Sequence, residues 1–276
     1  MHSNFLYPNR REIIQWFLAL ATSSALAAEK KKDFLLFDAL LHRGKPNLSR
    51  LGITACPPIA NIWRKGANRD LIDELGLKIE LNTLRQDTPY FFIDIENWPI
   101  LKVSREERKA SISKLIRVAE IAREKLPNSK FGFYGIPPGI TYWPLVDRRP
   151  TEYSDWISAN EDMMALAEKV DVIMPSLYTF YKDEKGWLTY AKATIDACKK
   201  FNKPIYPFLW FEYHDSNFLL RNHEIDTDYW NMQLQFCYDN CNGLILWGGS
   251  QRNWSESAAW WKAVMSKFGL KSPIST

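Results

Sequence analysis

From Tyr90 onward the chain repeats one unit: a short, continuously apolar run, then a longer segment with apolar residues at helical spacing. Runs at 90–96, 131–135, 171–178, 204–210 and 243–247 read as strands, and 105–126, 152–170, 187–201, 227–238 and 255–268 read as helices. In the first of these helices Ile112, Leu115, Ile116, Ala119, Ala122 and Leu126 fall on one stripe. Strands without a polar face, alternating with amphipathic helices, belong to a parallel sheet covered on both sides. A further strand is expected at 34–37, with short ones at 52–55 and 79–81. No linker, low-complexity stretch or internal repeat interrupts the pattern, so residues 29–276 are read as one domain. An open doubly wound sheet would carry a glycine-rich phosphate loop after its first strand, which is missing here. Polar residues instead end many different strands. The expected fold is therefore α/β, a TIM-like, distorted barrel of parallel strands surrounded by helices.

Residues 1–28 read as an export signal. Arg10 and Arg11 precede an apolar run at 13–20, and Ala25-Leu26-Ala27 ends the segment before the charged Glu29-Lys30-Lys31-Lys32. The run is too short to span about 30 Å of hydrocarbon, and the paired arginines resemble the twin-arginine export motif. The protein is expected outside the cytoplasm, periplasmic or secreted, with no membrane span in the mature chain. Lys plus Arg number 36 against 32 Asp plus Glu, a net charge of +4 without a basic block, which gives no reason to expect nucleic acid as a partner. Of Cys56, Cys198, Cys237 and Cys241, the last two have helical spacing, but no histidine or second pair completes a zinc set. Buried thiols are the ordinary outcome for such cysteines. No metal and no organic cofactor is expected.

In a barrel of this kind the site forms at the carboxyl ends of the strands. Those ends carry Asp94-Ile95-Glu96-Asn97-Trp98, Tyr134-Gly135, Ser176-Leu177-Tyr178, Trp210 to Asp215, and Trp247-Gly248-Gly249-Ser250. Asp94 and Glu96, at i and i+2, point the same way while Ile93 and Ile95 face the helices. Two acids close together in a partly desolvated pocket cannot both ionise cheaply, so one retains a proton near neutral pH. The alternative for either acid is a salt bridge at the rim. Two carboxyls on one strand edge approach a bond from one side. Unless Glu212 or Asp215 supplies the other face, hydrolysis of a sugar needs the substrate's own 2-acetamido group as nucleophile.

Asp94-x-Glu96-x-Trp98, Pro175-Ser176-x-Tyr178, Trp210-x-x-Tyr213-x-Asp215 and Leu246-Trp247-Gly248-Gly249-Ser250 occur in this order. The set resembles the hyaluronidase family of glycoside hydrolases over roughly residues 90–265. The resemblance implies a distorted parallel barrel and configuration-retaining, substrate-assisted hydrolysis next to an N-acetylhexosamine. It implies Glu96 as proton donor and later base, and Asp94 as the neighbour that orients the acetamido group. Tyr178 and Tyr213 would hydrogen-bond the acetamido or the catalytic carboxyl, Trp247 would wall the acetamido pocket, and Tyr134 would line the cleft. An N-acetylated polysaccharide or oligosaccharide is the implied partner. The family's cysteine framework is not visible, Pro99 rather than Arg follows Trp98, and Glu212 has no obvious counterpart.

Other residues carry plainer readings. Trp210, inside an apolar run, reads as core; His214 beside Asp215 reads as a solvated or hydrogen-bonded histidine; Arg148, Arg149 and Lys182 read as loop charges, with contact to an anionic polymer as the alternative. The competing functions are a carbohydrate-binding protein on an inactive glycosidase fold and a two-carboxylate glycosidase using Glu96 and Glu212.

Overall fold

A computed structural model describes residues 33–271; the expected export signal lies outside the described residues. Strand β1 (Leu35–Leu40) pairs along its whole length with β7 (Gly243–Gly248), which pairs with β6 (Phe208–Trp210). On its other side β1 pairs with β2 (Thr54–Ala55). The chain then changes partner: Cys56 N–H donates to the Asp38 carbonyl and Phe92 N–H to the Pro57 carbonyl. As a result β3 (Pro58–Ile59) pairs with β4 (Tyr90–Ile93), and β4 pairs with β5 (Lys130–Phe133). Residues 171–177 bridge β5 to β6 through Tyr134 with Met174, Ile173 with Ile205, and Ser176 with Phe208. Among the described residues every pairing between neighbouring staves is parallel, and the ring closes. Its staves are β1, the β2–β3 stretch, β4, β5, the 171–177 segment, β6 and β7. The α/β barrel expected from the strand–helix alternation is the observed fold.

The staves at 171–177 and 204–210 are shorter as strands than the apolar runs suggest. Pro175, Pro204 and Pro207 remove N–H donors there, so the ladder survives only as separate bonds such as Phe208 N–H to the Pro175 carbonyl at 2.8 Å. The expected strand at 79–81 is instead the end of a helix, α1 (Glu74–Leu81). Asp73 caps its start by accepting from Gly76 N–H, and the buried Leu77 and Leu81 lie one turn apart. Helix α2 (Arg105–Lys125) opens with a reciprocal capping box between Ser104 and Glu107. The helix expected at 152–170 is divided at Met163 into α4 (Pro150–Asp162) and α5 (Met164–Lys169), preceded by a short α3 (Trp143–Val146). Helices α6 (Glu184–Lys199), α7 (Thr227–Asn240) and α8 (Ala259–Phe268) complete the cover.

Aromatic side chains fill the barrel in layers. Phe37, Tyr90 and Tyr206 form one, with centroids 4.7–6.1 Å apart. Above it Phe92 meets Phe208 at 4.8 Å and Trp247 at 6.3 Å. This aromatic interior floors the site. All four cysteines are buried and unbridged. Among the described residues no helix is long and apolar enough to cross a membrane.

Candidate active site

Above the Phe92–Phe208 layer, at the carboxyl ends of the strands, the barrel opens into a cavity of about 440 Å³. Phe92, Asp94 and Glu96 all line it, the alternation expected of β4 and its extension, while Ile93 and Ile95 are buried on the opposite side. Asp94 N–H still bonds to the Ile59 carbonyl at 3.0 Å, so the pleat continues past the last regular strand residue.

Asp94 is the deeper acid. Burial, reinforced by the charge of Glu96, pushes its carboxyl up to about 6. Its Oδ1 is buried and has no hydrogen-bond partner among the described residues. Glu96 is exposed at the rim. The pair also borders a second hollow of about 230 Å³, lined with Asn61, Trp63, Arg69 and Asn97. The carboxylates therefore stand on a ridge with open space on both sides.

Tyr134 and Tyr178 wall the same cavity, with ring centroids 5.6 Å apart. The Tyr134 hydroxyl donates to Ser176 Oγ at 3.3 Å. Burial pushes both phenols above their ordinary range, which keeps them protonated as donors. Trp247 joins them from β7.

Tyr213 is placed elsewhere. On β6 and its extension the inward residues are Trp210, Glu212 and His214, so the period of two turns Phe211 and Tyr213 outward. Phe211 stacks on Trp260 at 4.2 Å, and the Tyr213 phenol is pushed up by burial and by Asp226 and Glu184 on the helix side. The parity that selects Asp94 and Glu96 on β4, applied to β6, would have selected these three residues instead of Tyr213.

Trp210 is 7% exposed, yet it lines the cavity with its indole N–H buried and without a partner among the described residues. The buried Glu212 forms an ion pair with Arg252 at 2.5 Å, and burial nonetheless pushes its carboxyl up. Nδ1 of His214 accepts the Ser216 N–H at 3.1 Å, which leaves Nε2 as the protonated nitrogen of the neutral ring. Burial lowers its pKa further from the cationic form. The loop cations do not reach the cavity lining: Arg149 pairs with Asp147 at 3.3 Å, Lys182 pairs with Asp226 at 3.3 Å, and Arg148 lines a separate hollow.

No protein-family model and no curated protein matches this chain. Among solved structures it is similar to bee venom hyaluronidase, with a TM-score of 0.63 at 14% identity over 79% of this chain and 92% of that one. It is likewise similar to bee venom hyaluronidase in complex with a hyaluronic acid tetramer, with a TM-score of 0.60 at 13% identity over 78% and 91%. At such identities the shared property is the barrel fold.

Proposed function

We propose that the protein is a glycoside hydrolase that cleaves a bond next to an N-acetylhexosamine, with the substrate's acetamido group as nucleophile and configuration retained. The observation that carries this reading is the unpartnered, buried Asp94 Oδ1, set one pleat below Glu96 in a sugar-sized, aromatic-walled cavity. An acetamido N–H is the donor this oxygen lacks. When it arrives, Asp94 serves as its acceptor and passes its proton to Glu96, which stands at the rim where a glycosidic oxygen would lie. Glu96 protonates the leaving oxygen as the acetamido oxygen attacks the anomeric carbon. As a carboxylate it then deprotonates the water that opens the cyclic intermediate. Tyr134, Tyr178 and Trp210 supply donors and walls. The similarity of the barrel to a hyaluronidase supports the reading at the level of fold. Removal of residues 1–28 on export belongs to the same proposal.

Reducing-end release from N-acetylglucosamine oligomers tests it. Glu96→Gln should keep the fold and lose about 10²-fold or more in turnover, the usual contribution of a general acid; a loss below about tenfold would sink Glu96 in this role.

One observation favours a second reading. Glu212 lies three staves from β4 in a ring of seven, across the cavity from Glu96, where a two-carboxylate mechanism would place a nucleophile. Cleavage of an oligomer that lacks the acetamido group would decide for it.

A further inference from the structure

Among the described residues that line the active-site cavity, four are acids, Asp94, Glu96, Glu212 and Asp215, and the single cation is Arg252. That cation is already committed: its Nε lies 2.5 Å from Glu212, one Nη donates to the Asn222 carbonyl at 2.6 Å, and the other lies 3.7 Å from Glu224. The neighbouring imidazole, His214, is held neutral by burial. In the smaller hollow Arg69 faces the same Asp94 and Glu96, so there too the acids outnumber the cation. The cations at Arg149 and Lys182 are tied to acids of their own. A carboxylate or sulfate brought into this cavity would meet like charge in a partly desolvated space, where the cation on the lining is already paired with Glu212. Neutral hydroxyl and amide groups would find acceptors, and the unpartnered indole N–H of Trp210 offers them a donor.

Resting on the glycosidase reading above, we propose that the cleft selects uncharged N-acetylhexosamine polymers and rejects polyanionic glycosaminoglycans, because Asp94, Glu96, Glu212 and Asp215 face it and Glu212 already occupies Arg252.

The test compares N-acetylglucosamine and hyaluronan oligomers of equal length, by binding to the Glu96→Gln protein (tryptophan fluorescence of the cleft) and by reducing-end release from the wild type. At low salt the uncharged oligomer should bind at least about tenfold more tightly, and raised salt should narrow the gap as the acids are screened. Asp215→Asn, at an exposed position, should narrow it by about two- to fivefold, the range of one partly screened charge. Equal or tighter hyaluronan binding at low salt overturns the inference but leaves the hydrolase reading standing if either oligomer is cleaved. Selective binding of the uncharged oligomer without cleavage supports the charge inference and counts against the hydrolase reading. Failure to bind either oligomer overturns the inference.

Discussion

Asp94 and Glu96 occupy successive inward positions of one stave, and Asp94, the deeper of the two, keeps its proton up to about pH 6. Below that pH Asp94 holds a proton to transfer, and above it that proton is lost. Since kcat/KM reports the free enzyme, it should fall by about tenfold per pH unit above pH 6. Asp94→Asn should abolish a limb with that midpoint along with most activity. A flat profile from pH 5 to 8 would show that the proton on Asp94 is not the one used.

The same shift has a consequence for stability. A carboxyl whose pKa is raised on folding binds its proton more tightly in the native state, so it costs stability as pH rises from its unfolded value of about 3.9 and costs it in full above about 6. Two units of pKa correspond to roughly 3 kcal/mol, and partial exposure of Asp94 reduces this to about 2. Asp94→Asn should therefore raise Tm by about 4–8 °C at pH 7.5 and leave it unchanged at pH 3.5. Thermal denaturation at the two pH values measures the difference; an equal shift at both would contradict it.

Tyr178 and Tyr213 give a paired test of which tyrosines serve the site. Tyr178 lines the cavity, while the Tyr213 hydroxyl is buried outside it without a partner among the described residues. Tyr178→Phe should lower kcat/KM at least about tenfold through loss of a preorganised donor. Tyr213→Phe should stay within about threefold and be neutral or stabilising, because it removes an unsatisfied buried hydroxyl. The reverse ranking would restore Tyr213 to the site.

The tyrosine pair also marks how far the sequence could be read. Residues 90–96 announce both strand and facing, because their apolar positions are uninterrupted and the two acids share one parity. At 208–215 Glu212 and His214 share a parity in the same way, which is the cue that Tyr213 faces away, whereas Trp210 reads as core until the ring closes around it. The role of Arg252 was out of reach for a different reason. It lies 40 residues from Glu212 in sequence, and only the adjacency of β6 and β7 brings the two together. The segment at 79–81 shows a third kind of loss: Ile79-Glu80-Leu81 alternates like a strand, but the cap at Asp73 and the one-turn spacing of Leu77 and Leu81 commit it to a helix.

Arg108 is buried in α2, where its guanidinium pairs with Asp155 and with Asp162 at 3.2 Å, and its Nε donates to the Ile100 carbonyl at 2.8 Å. Removing Arg108 leaves the buried Asp162 with Arg105 alone, takes the partner from Asp155 and orphans the Ile100 carbonyl. Arg108→Ala should cost about 3–5 kcal/mol, read as a Tm lower by about 10 °C, with no change in pH profile, since α2 does not line the cavity. A loss under about 1 kcal/mol would mean that water reaches the two aspartates.

Gly132 tests the barrel wall beneath the site. A Cβ built there would lie 2.5 Å from the Val172 carbonyl oxygen and 3.2 Å from Met174 Cγ and Sδ. The first of these is backbone of the neighbouring stave, which cannot give way without carrying Ser176 and Tyr178 with it. Gly132→Ala should therefore destabilise by about 1–3 kcal/mol, the range for overpacking a filled interior. It should also lower kcat/KM, because the bond from Tyr134 to Ser176 crosses this boundary. Gly249→Ala is the matched control for stability, since nothing lies within 4 Å of its added Cβ. If the two variants melt at the same temperature, β5 and the 171–177 stave are not packed against each other as closely as these distances require.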